Sequence, residues 1–255
     1  MINLENITLR RGDKLILDDV SVRMNDGEQW IVLGRNGSGK TTLLEIMNGY
    51  LFPTSGTVDV LGYRYGTVDL REVRKEIGYI GQSLLEKMSL SDPVWEAVAT
   101  GEFAFLRFYQ EVAAEVMEKT HSLLQRLDIL HLWSRPVGVI SQGERKKVML
   151  ARAMMANPKL LILDEPCSGL DLYEREKLLQ SIDGFARQGV QLVYVTHHME
   201  EIIPVFTHVA LIENGRLAAA GPKRDVLTAE LLEQIYHVKV DVEWYADRPW
   251  TRVIW

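Results

Sequence analysis

Residues 34 to 41 read Gly34-Arg35-Asn36-Gly37-Ser38-Gly39-Lys40-Thr41, a glycine-rich turn that ends in lysine and threonine. The short apolar run from Trp30 to Leu33 precedes this turn and predicts a strand that is covered on both faces. After the turn, residues 41 to 50 place leucine, isoleucine and methionine at helical spacing. A strand, a glycine-rich turn and a helix in this order form the context that a P-loop requires, so the chain should contain an α/β nucleotide-binding core.

The chemistry of this turn suits phosphate binding. Its glycines let backbone N–H groups close around phosphate oxygens, and the following helix directs its positive end toward them. Lys40 would reach the β- and γ-phosphates of a nucleoside triphosphate, and the Thr41 hydroxyl would bind Mg²⁺. We therefore expect residues 34 to 41, together with Thr42, to bind the nucleotide.

A second motif supplies two carboxylates. The apolar strand Leu160 to Leu163 ends in Asp164 and Glu165, at the edge where ligands of open α/β sheets bind. Asp164 suits the Mg²⁺ shell, the role of a Walker-B aspartate. Glu165 is placed to orient or deprotonate a water that attacks the γ-phosphate. Because a glutamate of ordinary pKa, about 4.3, is a poor base at neutral pH, orientation of the water is the better-founded role.

The remaining patterns organise the chain around this core. Further strands are predicted near residues 4–9, 15–24, 58–61, 78–80 and 191–195, and a helix is predicted over residues 173–187. Between about residues 84 and 139 the character becomes helical. Four apolar residues share one helical face and four charged residues share the other, namely Val112, Val116, Leu123 and Leu127 against Glu111, Glu115, Glu118 and Lys119. This stretch predicts a helical subdomain inserted into the α/β body.

The last residues, from about 222 to 255, predict a helix-strand extension. Apolar residues alternate with charged ones at Val238, Val240, Val242 and Trp244, which is typical of a half-buried strand. Trp244, Trp250 and Trp255 either form a docking surface or pack as part of an edge strand.

Composition narrows the classes of function. The 255 residues are 47% apolar, enough for a core, and carry a formal net charge of −6, which argues against a nucleic-acid partner. The one cysteine, Cys167, excludes an internal disulfide and a cysteine-based zinc site, and we expect it to be a small buried packing residue. The first residues lack the apolar core of a signal peptide, and no apolar run approaches about eighteen residues. We therefore expect a cytoplasmic protein.

Residues between and after the two motifs resemble a known family. Ile140-Ser141-Gln142-Gly143-Glu144 resembles the signature of ATP-binding-cassette (ABC) ATPases, which usually reads Leu-Ser-Gly-Gly-Gln. Further markers follow in the family's order: Gln82 after Gly81, Ser168-Gly169-Leu170-Asp171 after Glu165, and His197 after a strand. Because the ordered motifs extend from Gly34 to His197, the resemblance covers most of the chain.

This resemblance implies a fold and a set of roles. The fold is α/β, a P-loop NTPase core with an N-terminal antiparallel β-subdomain and an inserted α-helical subdomain, in one domain over residues 1–255. The signature, Ser141 to Glu144, would meet the γ-phosphate of ATP held by a second subunit, and Asp171 would cross the dimer interface. Gln82 would sense Mg²⁺ and the attacking water. His197 would hydrogen-bond the γ-phosphate and Glu165.

Two features depart from the family's pattern. Gln142 and Glu144 stand where the signature usually has glycine and glutamine, although Gly143 is retained and allows close backbone approach. Arg11 stands where the family usually stacks an aromatic residue on adenine. A guanidinium can also stack on a base, so Arg11 is either a nucleotide-binding residue or a solvated turn residue.

Two uses of such an ATPase compete. The first is a head-to-tail homodimer that hydrolyses ATP with Mg²⁺ and acts at the inner face of the cell membrane through separate transmembrane permease subunits. The single cassette favours it, and so does the apolar-rich stretch 94–108, which either lies near a docking groove or packs inside the helical subdomain. The pattern over residues 225–238 is loosely similar to ATPases of metal-chelate and vitamin importers.

The alternative is a soluble ABC ATPase that acts on nucleic acid or ribosomes. Its DNA-repair branch usually carries a long coiled coil or a zinc-bearing insert, and the sequence between Gln82 and Ser141 has neither heptads nor paired cysteines. Its ribosome-associated branch usually has two cassettes in one chain, whereas this sequence has one set of motifs. The sequence therefore favours the transporter subunit.

Overall fold

The computed structural model describes residues 1–81, 84, 86–103 and 112–255. These residues form two compact units, the first from residues 1–70 and 191–255 and the second from residues 71–190. Both units combine strands and helices, so the predicted α/β class is confirmed.

An antiparallel sheet opens the first unit. It contains β1 (Ile2–Arg11), β2 (Lys14–Met24), β4 (Ser55–Val60) and β5 (Tyr63–Arg64), in the order β2-β1-β4-β5. Ile2 and Leu4 of β1 alternate with more exposed residues, and so do Ile7 and Leu9 after a register shift between Leu4 and Ile7, so all four are buried in the core of this sheet. The predicted N-terminal antiparallel subdomain is confirmed.

The first unit also contains the strand that precedes the glycine-rich turn. β3 (Trp30–Leu33) lies between two parallel neighbours, β8 (Gln191–Thr196) and β9 (His208–Glu213), and β10 (Arg216–Pro222) pairs antiparallel with β9. All four residues of β3 are buried, as a strand with neighbours on both sides requires. The helix α1 (Lys40–Met47) follows the turn and ends before Gly49, whose φ of +68° stops the helix.

The C-terminal extension contains two short helices and a hairpin. These are α7 (Lys223–Val226), α8 (Ala229–Tyr236), β11 (Val240–Tyr245) and β12 (Arg248–Val253). Asp247 lies in the hairpin turn and pairs with Lys223 and Arg224. These contacts lower the pKa of its carboxyl, and the hydrogen bond from Lys223 has the largest effect.

The predicted C-terminal strand is confirmed only in part. Val240, Val242 and Trp244 belong to β11, whereas Val238 precedes the strand and is exposed, because α8 ends at His237 in the left-handed conformation. Trp244 is partly covered by the Arg224 guanidinium at 4.4 Å, while Trp250 and Trp255 are exposed. Of the three tryptophans, Trp244 therefore packs as part of an edge strand, as predicted, and the other two are exposed.

The second unit combines a parallel strand pair with helices. β6 (Ile77–Ile80) pairs with β7 (Leu160–Asp164). The helices are α2 (Leu70–Lys75), which begins at the last residue of the first unit, then α3 (Val94–Ala99), α4 (Ala114–Arg126), α5 (Gln142–Met154) and α6 (Leu172–Ala186). The predicted helical insertion corresponds to α3 and α4 with short 3₁₀ turns. The predicted helix over residues 173–187 is confirmed within one residue at each end.

The helical face predicted for α4 is partly wrong. Val112 precedes the helix, and Glu111 lies outside the described residues. The helix buries a row spaced by four residues, Val116, Thr120 and Leu124, because Thr120 satisfies its hydroxyl by donating to the Val116 carbonyl at 2.7 Å. Lys119, predicted on the solvated face, pairs with Glu102 at 2.8 Å.

Two further expectations concern buried and apolar residues. Cys167 is 3% exposed, which confirms its packing role. In the stretch 94–108, Val94, Val98 and Ala99 are buried, as expected if this stretch packs inside the helical subdomain. Residues 104–108 lie outside the described part. In the part of the chain that the structure describes, every helix is too short or too polar to cross a bilayer.

Candidate functional site

The glycine-rich turn lies between β3 and α1, as predicted. Gly34 approaches the backbone of β9 so closely that a Cβ there would lie 2.2 Å from the Ile212 carbonyl oxygen. Gly39 is the N-cap of α1 with φ of +107°, a conformation that side chains disfavour. Arg35, Asn36 and Gly37 are exposed on the turn. Backbone constraints at both ends therefore fix the turn against the helix N-terminus.

Two polar side chains of this turn are buried. Lys40 is 4% exposed. Its ammonium donates to the carbonyls of Gly34 at 2.9 Å and Arg35 at 3.0 Å. The Ser38 Oγ is buried and has no hydrogen-bond partner among the residues that the structure describes. A buried hydroxyl without a partner loses about 1–3 kcal/mol of solvation, which a phosphate oxygen in the turn would restore. A cation and an unsatisfied donor together fit an anionic ligand.

The first turn of α1 continues this surface. Thr41 is exposed and Thr42 is half-buried, so the Thr41 hydroxyl remains accessible to a metal ion that bridges to a phosphate. Arg11 is the last residue of β1, is exposed and pairs in register with Lys14. The predicted turn therefore begins one residue later than expected, at Gly12, and contact of Arg11 with a base stays a prediction.

His197 reaches the same sheet edge as the glycine-rich turn. In the parallel pair of β3 and β8, Leu33 is in register with Thr196, so Gly34 and His197 are the next residues of neighbouring strands. Both follow the carboxyl ends of their strands, where open α/β sheets bind ligands. The His197 ring lies 4.1 Å from the ring of His198 between centroids. The structure therefore brings two of the predicted elements together.

In the second unit, Asp164 is the last residue of β7 and Glu165 follows it. The first four residues of β7 are buried, and Asp164 and Glu165 are half-buried at its carboxyl end. Ile80 of β6 is in register with Leu163, so the residue after β6, Gly81, reaches the same edge as Asp164. Gln82 comes next along the chain but lies outside the described residues.

Glu165 has an unusual backbone. Its φ is +46°, in the left-handed region that costs a non-glycine residue about 1–2 kcal/mol. The turn that imposes this conformation is closed by the Ser168 N–H, which donates to the Glu165 carbonyl at 3.2 Å. Strained backbone of this kind is concentrated at functional sites, so the conformation of Glu165 is consistent with its place in the candidate site.

The signature residues begin helix α5. The Ser141 Oγ accepts from the Glu144 N–H at 3.2 Å, and the Glu144 carboxylate accepts from the Ser141 N–H at 2.7 Å, which is a capping box. Since the Ser141 oxygen accepts in this arrangement, its own hydroxyl proton remains available to donate. Glu144 therefore caps the helix, a role that the family's usual glutamine could also fill.

Glu144 also carries a negative charge near the helix N-terminus. Burial alone would raise the pKa of its carboxyl, but hydrogen bonds from Ser141 and the nearby His131 imidazole outweigh burial and lower it. The His131 Nε2 lies 3.7 Å from the carboxylate. A negative charge at this end of α5 is favourable because the helix dipole is positive there.

Replacement of Glu144 by glutamine should give a pH-dependent loss of stability. The folded pKa lies below the ordinary 4.5, so the stabilisation is present above about pH 4.5 and is lost as the pH falls through the folded pKa. We expect Glu144→Gln to lower the free energy of unfolding by about 0.3–1 kcal/mol at neutral pH and by less near pH 3. Urea unfolding at both pH values checks this, with the exposed Glu118→Gln as control. An equal loss at both pH values would contradict the charge argument.

The other signature residues contact the segment after Glu165. The Gln142 amide donates to the Ser168 carbonyl at 3.1 Å. Gly143 packs against Glu174, and a Cβ at position 143 would lie 2.8 Å from the Glu174 Oε2. Gly143 is therefore required by packing within the chain as well as by any ligand.

Asp171 caps helix α6. Its carboxylate accepts from the Glu174 N–H at 2.9 Å, and the Glu174 carboxylate lies 3.4 Å from the Lys147 ammonium on α5. Glu174 thus connects the signature helix to Asp171, a role that the sequence analysis missed. The signal was present, since Asp171 followed three residues later by Glu174 is a helix N-terminus pattern.

Comparison with known proteins identifies related chains. The sequence profile of the family described as ABC transporter matches residues 17–168. An uncharacterized ABC transporter ATP-binding protein, YlmA of Bacillus subtilis (strain 168), is 38% identical over 252 residues, which cover 98% of this chain and 96% of the relative. The energy-coupling factor transporter ATP-binding protein EcfA2 of Symbiobacterium thermophilum is 38% identical over 209 residues, which cover 80% of this chain and 70% of the relative.

A solved structure agrees with the sequence relatives. The ADP conformation of MJ1267, an ATP-binding cassette of an ABC transporter, superimposes with a TM-score of 0.80 at 26% identity, covering 93% of this chain and 98% of that chain. The similarity extends over nearly the whole length of both chains, so it includes the antiparallel subdomain, the nucleotide-binding core and the helical insertion. The predicted fold type and the predicted resemblance are therefore both confirmed.

Proposed function

Since the chain belongs to the ABC transporter family, as an ATP-binding protein of that family, we propose that it is the Mg²⁺-dependent ATPase subunit of a transporter with separate transmembrane subunits. Hydrolysis of ATP follows from membership of the family. The Mg²⁺ requirement, the assignment of site residues, the homodimer and the membrane partner are the proposal.

The observation that carries the proposal is the polar interior of the glycine-rich turn. Lys40 and Ser38 hold a buried positive charge and a buried unsatisfied hydroxyl next to the N-terminus of α1. We propose that this interior, with Gly34 to Thr42, binds the β- and γ-phosphates of ATP. Arg11 would add a stacking contact with the base.

The hydrolytic groups are proposed from the strand ends. A magnesium ion would be held by phosphate oxygens with the Thr41 hydroxyl, the Asp164 carboxylate and Gln82, since Mg²⁺ prefers oxygen ligands and few protein groups. When bound, the ion supplies charge neutralisation for the transferred phosphoryl group. Glu165 orients the attacking water, and His197 donates a hydrogen bond to the γ-phosphate.

We propose that each site is completed by a second copy of the chain. Ser141 retains a hydroxyl proton and Gly143 presents backbone at the start of α5, which is the end of a helix that attracts anions. A γ-phosphate held by the P-loop of the partner subunit would receive these donors, and Asp171 would lie at the interface. Gln142 and Glu144 hold this helix end through contacts within their own chain.

The assignment to a transporter rests on a named relative, and it gives roles to two segments of the chain. EcfA2 is by its name a transporter ATP-binding protein, and we extend that role to this chain. We further propose that residues 84–139 are the inserted subdomain that meets the transmembrane partner and that residues 222–255 are an extension of the single domain 1–255. Such a protein would act at the inner face of the cell membrane, in the cytoplasm, without binding nucleic acid.

A cosedimentation assay tests the proposed partner. Purified chain is mixed with source-cell membranes stripped of peripheral proteins, with protein-free vesicles of the same lipids, or with ribosomes. We expect saturable binding to the membranes alone, together with ATP hydrolysis that is abolished by EDTA and restored by Mg²⁺. Binding to ribosomes but not to membranes would instead establish the soluble ABC ATPase, and hydrolysis that persists in EDTA would contradict the Mg²⁺ requirement.

A further inference from the structure

An open cavity of about 320 Å³ lies in the second unit, and none of the residues assigned above to ATP line it. The end of α4 and the facing sides of α5 and α6 line it. Its volume is at the lower end of the range for small-molecule sites, about 300–1,000 Å³. Its polar lining includes Arg126, Lys147, Tyr173, Lys177 and Ser181.

The charges of this cavity are unlike those of the whole chain. Three cations and one carboxylate, Asp128, line it, although the protein has a formal net charge of −6. Lys147 is compensated by Glu174 at 3.4 Å. Lys177 contacts the ring of Tyr173 at 5.6 Å and has no carboxylate partner within the described residues. A surplus of positive charge therefore faces the cavity.

Arg126 is held in place by neutral groups. Its guanidinium donates to the Gln188 side chain at 2.7 Å and to the Gly184 carbonyl at 3.2 Å, and it lies 3.9 Å from the centre of the Phe185 ring. Partial burial lowers the pKa of Arg126, although the residue as a whole is exposed. These contacts fix the direction of the guanidinium without neutralising it.

We propose that this cavity binds the phosphate group of a small molecule, either inorganic phosphate or a phosphate monoester. Lys177 and Arg126 would neutralise the dianion from two sides, and the Tyr173 hydroxyl offers a further donor, whereas the Ser181 hydroxyl already donates to the Lys177 carbonyl at 3.0 Å. Arginine offers a phosphate a planar fork of donors, and lysine offers it a compact point charge. The volume leaves room for a small organic group beside the phosphate.

Occupancy of the cavity would affect the signature helix. Lys147 lines the cavity and pairs with Glu174. Glu174 in turn packs against Gly143, and its backbone N–H donates to the Asp171 carboxylate. An anion that draws Lys147 away from Glu174 would therefore loosen the contacts of Glu174 with Gly143 and Asp171. This second step rests on the proposed function, because it predicts that the bound anion changes the rate of ATP hydrolysis.

Binding is tested without relying on hydrolysis. Inorganic phosphate and glycerol 3-phosphate are titrated by calorimetry into the full chain carrying Lys40→Ala, in which phosphate binding by the glycine-rich turn is weakened. Adding Lys177→Glu should weaken binding by about tenfold or more, the loss of one charge-assisted hydrogen bond. The matched charge reversal Lys87→Glu, at an exposed lysine that does not line the cavity, should change it less than about twofold.

The outcomes separate the two steps. If glycerol 3-phosphate binds tightly and inorganic phosphate binds weakly, the ligand is a phosphate monoester. If the two affinities are equal, the ligand is phosphate itself. The site is overturned if neither anion binds, or if Lys177→Glu and Lys87→Glu have equal effects. If binding follows the prediction but neither anion changes ATP hydrolysis by the chain with Lys40 intact, the cavity stands and its coupling to the signature is refuted. If hydrolysis itself is absent while binding is intact, the proposed function fails and the cavity does not.

Discussion

Glu165→Gln is expected to reduce ATP hydrolysis by at least about a hundredfold, the lower end of what a positioned catalytic carboxylate contributes, while ATP still binds. The amide keeps the size of the side chain but removes the charge that orients the attacking water. The left-handed turn at Glu165 is made by the backbone, so the substitution leaves the direction of the side chain unchanged. The expected product is an ATP-bound dimer that does not turn over.

Two measurements check this expectation together. Steady-state phosphate release gives the loss of hydrolysis, and size-exclusion chromatography with ATP detects the trapped dimer. Glu118→Gln, on the exposed side of α4, is the matched control and should leave both readouts unchanged. Normal hydrolysis by Glu165→Gln would remove Glu165 from the mechanism.

The second large effect is expected at the two halves of the composite site. Homodimers of Lys40→Ala should lose nucleotide binding, because the buried cation that faces the phosphates is removed. Homodimers of Ser141→Arg should still bind ATP but hydrolyse it at least about a hundredfold more slowly, since the partner's donors are blocked. Ser141→Arg also removes the helix cap, at a cost of about 0.5–2 kcal/mol, so a melting curve accompanies the assay.

A matched control separates the effect of the site from that of an added arginine. Ser122→Arg introduces the same side chain at an exposed position of α4 and should hydrolyse ATP normally. If folded Ser141→Arg hydrolyses ATP at the rate of the unmodified protein, the signature has no part in the reaction.

Local motifs predict the strands, turns and helices that carry most of the candidate site. The order of strand, turn and helix around Lys40 is determined by residues close together in sequence, and so is the strand that ends in Asp164. The glycines at positions 34 and 39 are required by close backbone approach and by a left-handed φ, which are constraints that residue type alone conveys. These elements can therefore be predicted from the sequence.

What the sequence did not reveal depends on packing between distant segments. Thr120 is polar but buried because its hydroxyl bonds to the preceding turn, so the face of α4 could not be assigned from apolar residues alone. Val238 fits a strand by alternation, yet the preceding helix delays the strand until Val240. The cavity beside α5 joins Arg126 and Lys177, which are separated along the chain and carry no motif.

A mixed dimer tests the central claim, that each ATP site is shared between two copies of this chain. Differently tagged Lys40→Ala and Ser141→Arg chains are coexpressed and purified through both tags, so that every dimer contains one of each. Both lesions can then fall in one site and leave the other whole. The account predicts that the mixed dimer recovers ATP hydrolysis, where both homodimers are inactive. If the mixed dimer binds ATP through its Ser141→Arg subunit but remains inactive, each site belongs to a single chain and the account is contradicted.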